Sequence, residues 1–144
     1  MTAHARSARW FGSGLAVMLA LATLACGDSS TATSPSTTSP VTETFSGQIL
    51  KGGSVARSFT AASAGAVSIT LSSIGPPADT QVGLGIGIPQ ASGSGCYLTQ
   101  TMTIGAAAAP QISTTVDAGT YCIRLYDTGT LTAPVAFSVT IVRP

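Results

Sequence analysis

Apolar and polar side chains alternate along most of the chain beyond residue 40. The clearest case is the run 67–72, Val-Ser-Ile-Thr-Leu-Ser, and the runs 121–126 and 135–141 follow the same two-residue period. Such alternation places one side of an extended chain against a core and the other side in water. We therefore predict strands in these runs. Less regular runs of similar character bring the total to about eight strands: 44–50, 54–60, 81–88, 97–104 and 111–116.

Glycine, proline and aspartate cluster between these runs, as tight turns require. The turn signals fall at 51–53, 64–65, 75–79, 91–95, 118–119 and 128–129. A spacing of about ten residues is typical of an all-β sandwich or barrel, and we predict a single antiparallel β-sandwich. The alanine run 106–109 is short and ends at Pro110, so we predict a loop there.

The N-terminus has a different character. Arg6 and Arg9 precede an apolar stretch, 10–25, which ends in small residues before Cys26. As a helix, this stretch would reach about 24 Å, short of the ~30 Å hydrocarbon core, which favours a cleaved leader over a spanning helix. The arrangement resembles a bacterial lipoprotein signal peptide. The resemblance implies cleavage after residue 25 and a lipid on Cys26.

The alternative is an ordinary secretory leader that leaves Cys26 as a free thiol. The chain has three cysteines, and an odd cysteine in an exported protein needs a reason. Lipidation of Cys26 supplies one, and it leaves Cys96 and Cys122 to pair. Gly27, rather than aspartate, follows Cys26. In a bacterium with two membranes, the lipoprotein resemblance then implies a place at the outer membrane of the cell envelope.

Residues 27–42 are rich in serine, threonine and proline and have almost no apolar side chains. Such a segment cannot compensate for the entropy lost when its backbone is ordered, so we predict a disordered linker that acts as a tether. The predicted organisation is a signal peptide at 1–25, the lipidated cysteine and tether at 26–42, and the sandwich domain at 43–144.

Charge is scarce, and its sign changes once the leader is removed. The whole chain has a formal net charge of +1, whereas residues 26–144 carry four basic and five acidic side chains. The basic residues are Lys51, Arg57, Arg124 and Arg143, and they form no run or cluster in the sequence. Nucleic-acid-binding proteins display a clustered basic surface, so we predict no nucleic acid partner.

The predicted mature chain also lacks the usual general base, because the single histidine is His4 in the leader. A catalytic triad cannot be assembled without it, and cysteine and histidine are together too few for a zinc site. We therefore predict no catalytic residues and no cofactor. A catalytic Ser–Lys dyad that uses Lys51 is the remaining enzymatic option. The simpler interpretation is that Lys51 lies in a glycine-rich turn with its side chain in solvent. Asp79, Asp117 and Asp127 each stand at a turn, where aspartate is expected for backbone reasons, so we predict no metal site.

Cys96 and Cys122 are the firmest pair in the sequence. Two remaining cysteines of an exported protein usually form a disulfide. Closing a loop of about 26 residues would stabilise the fold by roughly 3.5 kcal/mol in the chain-entropy model. Cys122 shares the solvent side of its strand with Arg124 and Tyr126. We therefore expect the bridge near the surface, where it would staple the loop 89–96 to a strand.

The run 82–88 alternates apolar residues with glycine. We expect Val82, Leu84, Ile86 and Ile88 to point inward and Gly83, Gly85 and Gly87 to form a bare outer face. Missing side chains weaken a strand, and they are tolerated where a neighbouring aromatic or a partner packs closely. Tyr97 and Tyr126 are candidates to lie nearby and form a shallow sugar-binding platform. The alternative is that they are ordinary exposed tyrosines of a sandwich.

Several of these runs resemble the bacterial pre-peptidase C-terminal domain. The resemblance lies in 52–60 and 64–71, in the stretch Ala-Gly-Thr-Tyr-Cys-Ile-Arg-Leu-Tyr-Asp at 118–127, and in the closing strand 137–141. It covers most of residues 45–142 and implies a jelly-roll-like sandwich of the kind that accompanies exported enzymes as a non-catalytic binding or processing module. Asp79 is present, but the next acidic position of the pattern is Gln81, so the resemblance carries over no calcium site.

These features predict a non-enzymatic cell-envelope lipoprotein that displays its sandwich for binding or structural purposes. Its expected partners are the membrane, through the lipid, and an envelope protein or glycan. The alternative is a carbohydrate- or protein-binding module that acts through Gly83, Gly85 and Gly87 with the two tyrosines. A secreted hydrolase is a third, more distant option.

Overall fold

A computed structural model describes residues 39–91 and 95–144, and it confirms the predicted all-β fold. The predicted signal peptide, Cys26 and most of the predicted tether lie outside the described residues. The described part forms eight strands: β1 Val41–Ile49, β2 Ser54–Ala61, β3 Gly65–Gly75, β4 Val82–Pro89, β5 Cys96–Ile104, β6 Ile112–Val116, β7 Gly119–Tyr126 and β8 Val135–Arg143. The strand β1 begins three residues before the predicted run, because Val41 pairs in register with Arg143.

The strands form two antiparallel four-stranded sheets. One has the order β1-β8-β3-β6 and the other β2-β7-β4-β5, which is the strand order of a jelly roll. Every connection except that between β4 and β5 therefore crosses from one sheet to the other. The predicted loop at 106–109 is confirmed within the connection between β5 and β6. Within the described ranges, no helix is both long and apolar enough to span a bilayer.

Because successive strands run in opposite directions, the connections gather at two ends of the sandwich. The turns 50–53, 76–81, 105–111 and 127–134 lie at what we call the Leu50 end. Val41, the turns 62–64 and 117–118, Pro144 and the tip of the β4–β5 hairpin lie at the opposite, Val41 end. The described chain thus enters the sandwich at the end opposite to these four turns.

The core lies between the sheets and is built from the alternating apolar positions of the sequence. Ile69 and Leu71 of β3 belong to the same buried cluster as Leu84 of β4 and Ile123 of β7. Burying one such side chain stabilises a fold by about 1.5–3 kcal/mol. The rings of Phe45 and Phe137 add an edge-to-face contact with centroids 5.7 Å apart.

The predicted disulfide between Cys96 and Cys122 is confirmed. Its expected place near the surface is wrong, since Cys96 is 4% exposed and Cys122 is 1% exposed. The two cysteines belong to β5 and β7, and β4 lies between these strands. Their Cα atoms are nevertheless only 5.9 Å apart, whereas two strand spacings amount to about 9.5 Å. The start of β5 must therefore lean over β4 toward β7, which shields the bridge from water.

Gly87 is the residue that permits this approach. It pairs with Cys122 on one side and with Leu98 on the other, beside an irregularity in the β4–β5 register between Ile86 and Gly87. A Cβ atom at Gly87 would overlap the carbonyl oxygen of Tyr97 and come within 2.8 Å of the Cα atom of Leu98. The main chain of β5 thus occupies the space that any side chain at residue 87 would need.

We predict that Gly87→Ala destabilises the domain, because the main chain of β5 would have to move and would carry Cys96 away from Cys122. Overpacking a well-packed site lowers the free energy of unfolding by about 1–3 kcal/mol. Urea unfolding followed by circular dichroism measures this change.

Gly105→Ala is the matched control, because a Cβ atom there would lie 3.5 Å from the carbonyl oxygen of Thr80, an ordinary contact. It should leave the unfolding midpoint nearly unchanged. Equal midpoints for Gly87→Ala and the wild type would contradict the close approach described above.

Candidate functional site

A surface cleft of about 310 Å³ lies at the Leu50 end, between the connections 76–81 and 127–134. Its lining is Pro76, Pro77, Asp79, Thr80, Gln81, Thr130, Leu131, Thr132, Ala133 and Val135. Pockets for small ligands combine an apolar wall with a few converging polar groups. Here the two prolines and Leu131 supply the apolar wall. The polar groups belong to Gln81, Thr130 and Thr132.

Asp127 fixes one wall of the cleft. Its Oδ1 accepts hydrogen bonds from the backbone N–H groups of Gly129, Thr130 and Leu131 at 2.8, 3.0 and 3.1 Å. Its Oδ2 accepts one from the N–H of Gly52 at 2.7 Å. The bond from Gly52 is the largest cause that lowers the pKa of Asp127, and the bonds from the other three N–H groups act in the same direction. The predicted turn role of Asp127 is therefore confirmed.

The opposite wall is a compact turn that follows β3. Gly75 has a φ of 135°, which a residue with a Cβ atom rarely adopts, and the Gly75–Pro76 and Pro76–Pro77 peptide bonds are cis. Thr80 is buried, and both its N–H and its hydroxyl donate to the carbonyl oxygen of Pro77, at 3.2 and 2.5 Å. The hydroxyl of Thr130 donates to the carbonyl oxygen of Gln81 at 3.4 Å, which joins the two walls.

The polar side chains that line the cleft are mostly uncharged. Asp79 is the one charged side chain among the lining residues, and hydroxyl and amide groups make up the remaining polar side chains. No lining residue is a lysine, histidine or cysteine, so the carboxylate of Asp79 is the one side chain of the lining that could act as a general base. Lys51 lies exposed in the turn 50–53. In the part of the chain that the structure describes, no three His, Cys, Asp or Glu side chains come together as a metal site.

The predicted bare face of the glycine strand is wrong. Gly83, Gly85 and Gly87 are all buried. The ring of Tyr126 lies directly over Gly83, where a Cβ atom would come within 2.6 Å of its Cε1. The expectation that a neighbouring aromatic packs against a missing side chain is thus confirmed. Arg124 lies 5.9 Å from the centroid of the same ring and covers it further.

The two other glycines are covered by β5. Leu98 lies over Gly85, with its Cδ1 2.9 Å from the position of an added Cβ atom, and the main chain of Tyr97 and Leu98 lies over Gly87. The outer side of β4 therefore offers no open groove to a ligand. The sequence pattern could not show this, because glycine marks a bare strand face and a close backbone approach equally well.

The two tyrosines of the predicted platform do not meet. Tyr126 pairs with Gly83 near one end of β4, whereas Tyr97 pairs with Ile88 near the other. Five residues of strand separate these positions by about 16 Å. Tyr126 is half-buried at the Leu50 end, and Tyr97 is exposed at the Val41 end. The structure therefore brings Tyr126 together with Gly83 and does not bring Tyr97 to the same site.

Sequence reasoning missed the cleft itself. Both of its walls carry turn signals, at 75–79 and 128–129, but these signals are 50 residues apart in the chain. They become neighbours only because β4 and β8, which follow the two walls, both begin at the Leu50 end. The strand order that brings them together depends on long-range pairing, which turn chemistry does not reveal.

We predict that Asp127→Asn lowers the melting temperature at neutral pH, because a neutral amide cannot replace both carboxylate oxygens as acceptors. The four hydrogen bonds hold the folded-state pKa of Asp127 below its ordinary value of 3.8. Its stabilisation is therefore complete above that value and is lost as the pH falls through the lower, folded-state pKa. In thermal unfolding from about pH 7 to about pH 2, the difference in melting temperature between the wild type and Asp127→Asn should narrow as the pH falls below 3.8.

Asp117→Asn is the control, since the bond from the Tyr121 hydroxyl reaches the backbone carbonyl of Asp117 and not its carboxylate. This variant should follow the wild type across the whole pH range. A gap between Asp127→Asn and the wild type that stays constant down to the acid end would mean that the charge of Asp127 does not stabilise the fold.

Comparison with known proteins gives no match to the sequence. No protein-family model matches it, and no curated protein does. The resemblance to the pre-peptidase C-terminal domain therefore stays a prediction, as does lipidation of Cys26, which lies outside the described residues. A proposal about function has to be drawn from the residues of this chain.

Proposed function

We propose that the protein is a lipid-anchored, non-catalytic domain of the bacterial cell envelope that displays its β-sandwich for binding. The disulfide between Cys96 and Cys122 is the observation that carries the proposal. Such bonds persist in oxidising compartments outside the cytosol. With these two residues paired, Cys26 is the one cysteine that remains, and it stands directly after the predicted leader. A lipid on its sulfur accounts for all three cysteines.

The use of the charged side chains supports a role without catalysis. Glu43 lies 3.4 Å from Arg57 and 3.7 Å from Arg143, and both arginines use Nη2 for this contact. Arg124 donates to the hydroxyl of Ser54 at 3.0 Å, and the carboxylate of Asp127 is occupied by four backbone N–H groups. These groups hold strands and turns together instead of converging on a substrate.

The geometry of the sandwich supports display at a membrane. The chain enters at Val41, and the cleft lies at the opposite end. A domain anchored through its N-terminal segment would thus be attached at the end opposite to its cleft. In a bacterium with two membranes, the outer membrane is the proposed location, because Gly27 follows the anchor residue.

We predict that the full chain, expressed in a bacterial host fed an alkyne-bearing fatty acid, becomes labelled and enters the membrane fraction. Cys26→Ser should abolish the label and move the protein out of that fraction, because two or more acyl chains are needed for stable anchoring. Mass spectrometry of the N-terminal peptide identifies the modified sulfur.

Globomycin, which inhibits the lipoprotein signal peptidase, should cause the unprocessed precursor to accumulate. The matched control is the double variant Cys96→Ser with Cys122→Ser, which should keep the label although it loses the disulfide. An unmodified sulfur at Cys26 in the processed wild-type chain would refute the proposal.

The cleft supports a second candidate function, that of a carbohydrate-binding module. Its lining combines the ring faces of Pro76 and Pro77 with the side-chain amide of Gln81 and the hydroxyls of Thr130 and Thr132, and these groups suit a neutral, hydroxyl-rich ligand. This site replaces the one predicted at the glycine strand, where the outer face is covered.

We predict that neutral oligosaccharides on a glycan array retain the processed, detergent-solubilised protein, and that Ala133→Trp, which fills the cleft, abolishes retention. Thr101→Trp on β5, outside the cleft, is the control and should bind as the wild type does. Retention that survives Ala133→Trp would exclude the cleft as the site, and an array without any retained glycan would exclude this second function.

A further inference from the structure

Large apolar side chains are unevenly exposed on this domain. Among the described residues, the exposed ones are Val41 at 42%, Leu50 at 59%, Ile88 at 55% and Tyr97 at 67%. Three of the four lie at the Val41 end, and Leu50 alone lies at the opposite end. The Val41 end therefore presents apolar and aromatic groups that the core does not use.

Ile88 and Tyr97 form a pair at the tip of the β4–β5 hairpin. They are partners in the register, so their side chains share one face of the sheet. The sequence pattern predicted that Ile88 points into the core, and this is wrong, although Val82, Leu84 and Ile86 do point inward as expected. The β4–β7 pairing ends at Gly87, although β7 itself extends to Gly119. The end of β4 therefore separates from β7, and Ile88 lies outside the core.

The position of the anchor residue indicates what this end faces. Cys26 precedes Val41 by 15 residues, and that length of chain spans at most about 50 Å. If Cys26 carries the lipid, as proposed above, the bilayer lies within this reach of the Val41 end. The tip of the β4–β5 hairpin lies at the same end of the sandwich as Val41, the first residue of β1.

The side chains at the Val41 end favour contact with the boundary between lipid headgroups and acyl chains over an electrostatic contact with anionic headgroups. Tyrosine combines an apolar ring with a polar tip, and residues of this kind gather at that boundary. Arg143 is held by the carbonyl oxygen of Thr60 at 2.6 Å and by Glu43, so its charge is already partnered. Asp117 also lies at this end and is exposed, which disfavours strong attraction to anionic lipid.

We propose that the Val41 end rests on the bilayer, with Ile88 and Tyr97 inserted among the headgroups, so that the cleft faces away from the membrane. This proposal rests on the lipid anchor of the proposed function and adds an orientation to it. The lipid alone would leave the domain free to turn, whereas contact at Ile88 and Tyr97 gives it one preferred face toward the membrane.

A single tryptophan tests the orientation. Trp10 is the only tryptophan of the sequence and lies in the predicted leader, so Tyr97→Trp places one tryptophan in the processed chain. The processed, lipidated Tyr97→Trp protein is reconstituted in phosphatidylethanolamine–phosphatidylglycerol vesicles. The reference is the same protein in detergent-free buffer after a protease has removed its lipidated segment. We expect the tryptophan of the vesicle-bound protein to emit at shorter wavelength than that of the reference. Lipids with a spin label high on the acyl chain should quench this emission.

Leu50→Trp is the matched control at the opposite end, since Leu50 is also an exposed apolar residue. Its emission should be neither shifted nor quenched. Adding Ile88→Asp to Tyr97→Trp should weaken the quenching while the protein still floats with the vesicles. Equal quenching at residues 50 and 97 of vesicle-bound protein, or quenching at neither, would overturn the orientation and leave the anchor intact. A protein that carries no lipid and does not float would refute the proposed function and, with it, this inference.

Discussion

The close approach of β5 to β4 at Gly87 is the constraint on which much of this domain depends. Because residue 87 lacks a side chain, the main chain of Tyr97 can lie over it. Cys96 can then reach Cys122 across an intervening strand. The same approach buries the disulfide and directs the tip of the hairpin past the core. Ile88 and Tyr97, which pair with each other beyond this point, are both exposed.

Much of the architecture could be predicted from the sequence, because period-two alternation and turn chemistry are local signals. The runs 67–72 and 135–141 became the cores of β3 and β8, and Cys96 paired with Cys122 as cysteine counting indicated. The burial of the disulfide could not be predicted. The alternation of side chains along β7 places Cys122 on the outer side of its strand. This alternation does not show whether another strand covers that side.

The candidate functional site was harder to predict from the sequence for the same physical reason. The glycine stripe of β4 was interpreted as an open face, yet Tyr126, Leu98 and the main chain of β5 fill the space. The cleft, in contrast, is built from two turns that meet only through the crossing connections of the jelly roll. Asp127 combines a local and a long-range role, because its carboxylate holds its own turn and also accepts a hydrogen bond from the N–H of Gly52 in a turn far away in the sequence.

The pairing of β1 with β8 also determines how the domain would carry mechanical load. These strands are antiparallel over nine register pairs, from Val41 with Arg143 to Ile49 with Val135. If the domain is anchored and binds a ligand in the cleft as proposed, a pull from the anchor would enter at Val41. A pull on the ligand would enter at Val135, at the opposite end of the pair. Hydrogen bonds of an antiparallel ladder run perpendicular to the strands. The load would therefore shear all the rungs together instead of unzipping them one by one, which is the more resistant geometry.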